Sequence, residues 1–277
     1  MIPFDFEYYR PDTVEEAVSV YSRLDAEGKN PVYYGGGSEL LSMARIGSRS
    51  FGAVIDLKRI PECSTREDRG DSLYLGAGLT LSNLIESNDF PLLSKTAGRI
   101  ADHTMQCKIT LGGNLAATII YRETALPLLL TDAKLTFAGA DGLREYSMDL
   151  VFRERLLLPR GEFLTGVTLE KSYFELPYFH AKKTRNEKID YPLMTAAGLK
   201  KDGKIRIAFS GLASYPFRDA EVENILNGSL LSAERKAQKA ADILHDRIQS
   251  DLSGSAEYRR FVLQETILNI LDTMKDA

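Results

Sequence analysis

Apolar residues fall into short periodic runs separated by breaks rich in glycine, proline and charge. Thr13-Val14-Glu15-Glu16 has the form of a capping box, with Thr13 as N-cap and Glu16 reaching back. Val14, Ala17, Val18, Tyr21 and Leu24 follow at helical spacing. Pro31-Val32-Tyr33-Tyr34 reads as a short strand, and Ala53-Val54-Ile55-Asp56-Leu57 as a second, buried one. Further on, Leu73-Tyr74-Leu75-Gly76-Ala77 is strand-like, and Thr80 caps a helix carrying Leu81, Leu84 and Ile85. Ala133 to Phe137 forms a strand that the turn Gly139-Ala140-Asp141-Gly142 joins to a partner as a hairpin.

Arg153-Glu154-Arg155 and Pro159-Arg160-Gly161 mark a linker. Beyond it lie a strand from Phe163 to Leu169 and a hairpin pairing Met194–Leu199 with Ile205–Phe209 across Lys201-Asp202-Gly203. Two amphipathic helices close the chain. One covers residues 233–248. The other starts at Ser255 and carries Tyr258, Phe261, Val262, Leu268 and Leu271 as a core-facing stripe. The pattern predicts an α+β protein in two parts. Residues 1–160 comprise a small α/β subdomain (1–57) and a larger α+β subdomain (58–160), and residues 161–277 form an antiparallel sheet with helices.

Composition narrows the function. The chain has 277 residues, 44% hydrophobic and 27% charged, enough for a sizeable core. With 35 basic against 39 acidic residues and no basic patch, nucleic acid is excluded as a partner. Cys63 and Cys107 are the only cysteines, too few for a four-thiolate iron–sulfur cluster and suited to reduced thiols. The start Met1-Ile2-Pro3-Phe4-Asp5 has no signal-peptide core, and no apolar run spans a bilayer, so a cytoplasmic location without a membrane partner is expected. His103, His180 and His245 are scattered, and no protein-bound metal is expected.

Gly76-Ala77-Gly78 opens like a Rossmann fingerprint, but Leu81 stands where the third glycine is needed. Two other glycine segments carry the chemistry: Gly35-Gly36-Gly37-Ser38-Glu39-Leu40-Leu41 and Thr110-Leu111-Gly112-Gly113-Asn114-Leu115-Ala116. Consecutive glycines between apolar runs let backbone N–H groups converge and let a ligand approach the main chain, which suits a pyrophosphate. Either loop alone reads more readily as an ordinary turn.

The two loops, their order and their flanks resemble the FAD-binding subunit of the molybdenum hydroxylases, the family of the carbon monoxide dehydrogenase medium subunit and the xanthine dehydrogenase flavin subunit. The likeness includes Phe6-Glu7-Tyr8-Tyr9-Arg10-Pro11, Val54-Ile55-Asp56-Leu57, Ile60-Pro61-Glu62, Leu126-Pro127-Leu128-Leu129-Leu130 and Gly254-Ser255-Ala256-Glu257-Tyr258-Arg259-Arg260. It extends over nearly the whole chain.

The resemblance implies FAD, with a nucleotide-embracing N-terminal half and a C-terminal lobe of sheet and helices. It assigns pyrophosphate-binding amides to Gly35, Gly36, Gly37, Ser38, Gly112 and Gly113, and places Glu39, Thr110 and Asn114 beside them. Leu164 matches a cofactor-lining strand residue. Lys183, Arg185, Asp190 and Tyr191 fall where relatives present a lysine and residues near the flavin ring. Relatives follow the second loop with Ser-Pro and then Asp, whereas this chain has Ile119-Ile120 and Glu123, so Glu123 is the expected acceptor for cofactor hydroxyls. No catalytic side chain is expected, because the cofactor carries the redox chemistry. The implied partners are a large molybdopterin-binding subunit and a small [2Fe-2S] subunit, with NAD or another molecule as electron acceptor. Two other readings stay open: a self-sufficient flavin oxidoreductase, and an assembly subunit that has lost FAD.

Overall fold

The computed structural model describes residues 1–185 and 190–275. The chain divides into two units, one made of residues 1–86, 103–117 and 133–170, the other of 87–102, 118–132 and 171–277.

The first unit contains two sheets. β1 (Glu7–Tyr9), β2 (Pro31–Tyr34) and β3 (Ala53–Asp56) form a parallel sheet in the order β1-β3-β2. Every residue of β3 is buried, as the central strand of a parallel sheet demands. Its side chains alternate between two clusters. Ala53 and Ile55 pack with Val14, Ala17 and Leu24 of the helix Val14–Ala26. Val54 packs with Val32, Phe51 and Ala44, the last from the helix Ser38–Arg45. Each large aliphatic side chain so buried contributes about 1.5–3 kcal/mol. Thr13 caps its helix by accepting from the Glu16 N–H at 3.1 Å. The Glu16 carboxylate closes on the Asp12 N–H at 2.8 Å, one residue beyond the partner a capping box prescribes.

β4 (Arg66–Asp68), β5 (Ser72–Gly76), β6 (Lys134–Gly139), β7 (Gly142–Ser147) and β8 (Phe163–Glu170) form an antiparallel sheet in the order β4-β5-β8-β6-β7. The hairpin β6–β7 turns at Gly139 and Gly142, with Gly142 at φ +88°. β8 follows the linker in sequence, yet it lies between β5 and β6 in this first unit. Its buried, β-branched run supplies the strand that joins them.

The second unit is built on an antiparallel sheet of β9 (Tyr178–Lys183), β10 (Met194–Lys201), β11 (Lys204–Ser210) and β12 (Phe217–Arg218), in the order β12-β11-β10-β9. The β10–β11 turn places Asp202 at φ +51° and Gly203 at φ +74°, as a two-residue hairpin requires. Met194, Ala196, Ile205, Ile207 and Phe209 face a core shared with the helices Ala220–Asn227, Ala233–Ile243 and Ala256–Thr273. The helix expected over residues 233–248 stops at Ile243 and continues as a 3-10 turn, His245–Arg247.

In the last helix, Val262, Leu263, Ile267 and Ile270 are buried, but Tyr258 and Phe261 are 53% and 56% exposed. Apolar residues occur around its whole circumference. The core takes the stripe through Arg259, Val262, Leu263, Thr266, Ile267 and Ile270 and leaves those aromatics outside. No described helix is long and apolar enough to cross a membrane.

Candidate functional site

In open α/β sheets, ligands bind outside the carboxyl ends of the strands. β2 and β3 end side by side, with Tyr34 opposite Asp56, and the first glycine loop leaves β2 at that edge. Gly37 sits at φ +69° as N-cap of the helix Ser38–Arg45. A Cβ there would lie 2.2 Å from the Tyr34 ring, so both conformation and space exclude a side chain. The first N–H groups of the helix have no intrahelical acceptors, and its dipole places partial positive charge at the same end. Glycine loop and helix start together form an anion cradle. Ser38 opens the helix, Glu39 follows in its first turn, and both are partly buried.

The structure brings the two glycine segments together. A Cβ at Gly36 would fall 1.7 Å from the Lys108 carbonyl oxygen, and one at Gly35 would fall 2.9 Å from Thr110 Oγ1. The backbones therefore pack at distances that only glycine permits. The second segment is a short helix, Leu111–Ala116, capped by Thr110 rather than an open nest. The Gly113 N–H donates to Thr110 Oγ1 at 3.0 Å, and the Gly112 N–H donates to the Ala77 carbonyl at 2.8 Å. The Asn114 N–H donates to the Thr110 carbonyl at 2.8 Å. The amides of Gly112 and Gly113, expected to face a pyrophosphate, are thus engaged inside the protein. Gly112 instead serves close packing, since its Cβ would meet that of Ala77 at 2.7 Å. Thr110 and Asn114 are both buried beside this turn, and Leu164 is buried in β8 opposite Phe137 of β6.

In the second unit, Glu123 is neither solvated nor open. Its Oε2 accepts from Lys182 Nζ at 2.8 Å, and its Oε1 accepts from the Thr195 hydroxyl at 2.6 Å. Lys182 also donates to the Arg99 carbonyl at 2.7 Å. Burial pushes the Glu123 carboxyl above its ordinary range, while Lys182, Thr195 and Arg99 pull against that rise. Lys182 and Thr195 are register partners on β9 and β10, which explains why they reach one carboxylate together.

Lys183, the lysine expected near the flavin, is the next residue of β9 and is exposed, because successive strand side chains point to opposite faces. Sequence reading did not single out Lys182, the β9 lysine that pairs with Glu123. The available signal was strand alternation, which puts Lys182 on one face with His180 and Tyr178. Burial and the charges of Lys95, Arg99 and Lys182 push His180 down to about 4, so it is neutral at physiological pH. Tyr191 is 66% exposed and stacks on Tyr121 at 4.9 Å with an interplanar angle of 11°, presenting a flat aromatic face. Arg185 and Asp190 flank residues 186–189, which lie outside the described residues.

A glycine loop at the carboxyl edge of a parallel sheet, opening a helix, is an arrangement whose main-chain N–H groups can receive a phosphorylated ligand. Residues 4–170 match the FAD binding domain in molybdopterin dehydrogenase, and residues 180–274 match the CO dehydrogenase flavoprotein C-terminal domain. The chain belongs to this family of FAD-binding oxidoreductase subunits of the molybdenum hydroxylases. It is 26% identical to the carbon monoxide dehydrogenase medium chain of Hydrogenophaga pseudoflava over 284 residues, covering 98% of each chain. It is 28% identical to the nicotine 6-hydroxylase medium subunit of Paenarthrobacter nicotinovorans, covering 94% of each. Its structure is similar to that of carbon monoxide dehydrogenase from Hydrogenophaga pseudoflava lacking the Mo-pyranopterin moiety. That match has a TM-score of 0.87 and 26% identity, and it covers 100% of this chain and 99% of the other. FAD is the cofactor of this family, and the first N–H groups of the helix Ser38–Arg45, which lack intrahelical acceptors, are donors of the kind that its diphosphate accepts from.

Proposed function

We propose that this chain is the electron-transfer flavoprotein subunit of a multi-subunit molybdenum hydroxylase. It would work with a large molybdopterin-binding subunit and a small [2Fe-2S] subunit and deliver electrons to NAD or another acceptor. The observation that carries the reading is the glycine cradle of Gly35–Gly37 at the helix start, wedged against Lys108 and Thr110. Its main-chain donors bind the pyrophosphate, with Ser38 and Glu39 in the first turn beside it. Thr110 and Asn114 hold the second segment in the shape that seats the first.

FAD, when bound, can take electrons singly and release them as a pair, which suits it to join iron–sulfur chemistry to a two-electron acceptor. The chain's own part is position and electrostatics. Two cysteines cannot supply the four thiolates of an iron–sulfur cluster, which on this reading sits on another chain.

The test combines cofactor and partners. The purified full chain should bind FAD stoichiometrically by its visible spectrum, and Gly36→Val should abolish retention, since the branched side chain meets the Lys108 carbonyl. Purification from the native source should bring down a molybdopterin protein and a cysteine-rich iron–sulfur protein. Recovery of the chain alone with full substrate turnover would refute the subunit assignment.

A further inference from the structure

At the cradle's inner edge lies an ion pair to which neither the glycine motif nor the resemblance gives a role. Asp56 is the last residue of β3, 2% exposed, and Lys58 follows it by two positions. Lys58 Nζ donates to Asp56 Oδ2 at 2.7 Å and to the Gly35 carbonyl oxygen at 3.1 Å. The Lys58 backbone N–H donates to Asp56 Oδ1 at 3.0 Å, and the Tyr8 hydroxyl donates to Asp56 Oδ2 at 2.5 Å. The ammonium also stands 4.3 Å from the centroid of the Tyr34 ring, and the edge of that ring faces the Gly37 backbone. The Leu57 N–H completes the join by donating to the Tyr34 carbonyl at 3.0 Å.

These contacts fix a lysine, ordinarily the most mobile of cations, between a buried carboxylate and one glycine carbonyl. The consequence follows from peptide geometry. In a planar trans peptide the C=O and the following N–H point in opposite directions. The Gly35 carbonyl shares its peptide plane with the Gly36 N–H. Holding the carbonyl on Lys58 therefore aims the Gly36 N–H away from Lys58, out of the inner edge of the loop. Glycine has no Cβ to favour one orientation of this peptide, so an outside tether is what selects it.

We propose that the Asp56–Lys58 pair is a positioning device that orients the Gly36 amide toward the pyrophosphate of FAD. Lys58 acts through the peptide and is not itself a phosphate ligand. Asp56 holds the ammonium in place, and Tyr8 holds Asp56. The inference rests on the assignment of Gly35–Ser38 to the pyrophosphate.

The test uses the full-length chain, with FAD affinity measured by flavin fluorescence and the phosphates of bound FAD observed by phosphorus NMR. Lys58→Met should weaken FAD binding about tenfold, the scale of one lost charge-assisted hydrogen bond at a half-exposed site. It should also move the phosphorus resonances. Lys58→Arg, which can reach both Asp56 and the carbonyl, should restore affinity to within about threefold of wild type and return the resonances. Lys58→Met also strips the cation from buried Asp56 and should lower thermal stability without FAD, whereas Lys58→Arg keeps it, so the phosphorus resonances are the readout that a merely structural role would not move. Wild-type affinity and unchanged resonances in Lys58→Met would overturn the proposal, as would Lys58→Arg binding no better than Lys58→Met. If Gly36→Val also binds FAD like wild type, the pyrophosphate assignment itself is wrong. If Gly36→Val loses FAD while Lys58→Met does not, only the positioning role fails.

Discussion

Replacing Lys182 with methionine tests the buried centre of the second unit. The change keeps the aliphatic stem and removes only the ammonium. Glu123 and Lys182 side chains are 4% and 3% exposed and lie 2.8 Å apart. At that separation the attraction is about 6 kcal/mol for an effective dielectric constant of about 20. The desolvation of the ammonium offsets part of it. What remains is the cost of leaving Glu123 buried without its cation, about 3–5 kcal/mol. That corresponds to a fall in melting temperature of about 6–20 °C.

The sign of the pH dependence distinguishes this cause from loose packing. Burial already raises the Glu123 carboxyl above its ordinary 4.5, and losing Lys182 raises it further. A group with a raised folded pKa favours the folded state below its unfolded value and loses that contribution as pH rises through the folded value. The penalty in Lys182→Met should therefore be largest at neutral and alkaline pH. It should shrink as pH falls toward 4.5, by at most about 1.4 kcal/mol per pH unit. Adding Glu123→Gln to Lys182→Met should recover most of the loss at pH 7. Urea unfolding of the three proteins across this range is the assay. A cost below about 1 kcal/mol, independent of pH and not relieved by the second substitution, would refute the reasoning.

Arg259 is fully buried and donates to the carbonyls of Leu193, Gln249 and Gly254 and to both oxygens of Asp251. Arg259→Met should cost about 3–5 kcal/mol and raise hydrogen exchange through residues 249–254 and at Leu193, because it strips partners from three carbonyls and a carboxylate. Burial raises the Asp56 carboxyl, but hydrogen bonds from Lys58 and Tyr8 outweigh it and hold the group below its ordinary 3.8. Its contribution to stability is present above 3.8 and lost as pH falls through the lowered folded value. Asp56→Asn should thus be less stable than wild type near pH 7, with the difference closing well below pH 3.8, as thermal unfolding at both ends will show.

Features whose physics is local were legible along the chain. Thr13, Ser255 and the Asp202-Gly203 turn announced their caps and hairpin because those bonds close within a few residues. The Gly35-Gly36-Gly37 run announced a close backbone approach, because only glycine tolerates φ +69° at Gly37 and the spacing at Gly36. The family was legible for the same reason, since its signatures are short runs in a fixed order.

Tertiary structure decided what depends on distant partners. β8 joined the first unit because β5 and β6 flank it, a pairing no linker composition records. The Gly112 amide was taken by Ala77, more than thirty residues away in sequence. Glu123 found Lys182 and Thr195 at separations of 59 and 72 residues, and strand alternation chose Lys182 over Lys183. Tyr258 and Phe261 were left outside because a helix apolar on every side does not declare which stripe its neighbours will cover. Propensity and spacing act along the chain, whereas burial and pairing are set by whatever the folded chain brings alongside.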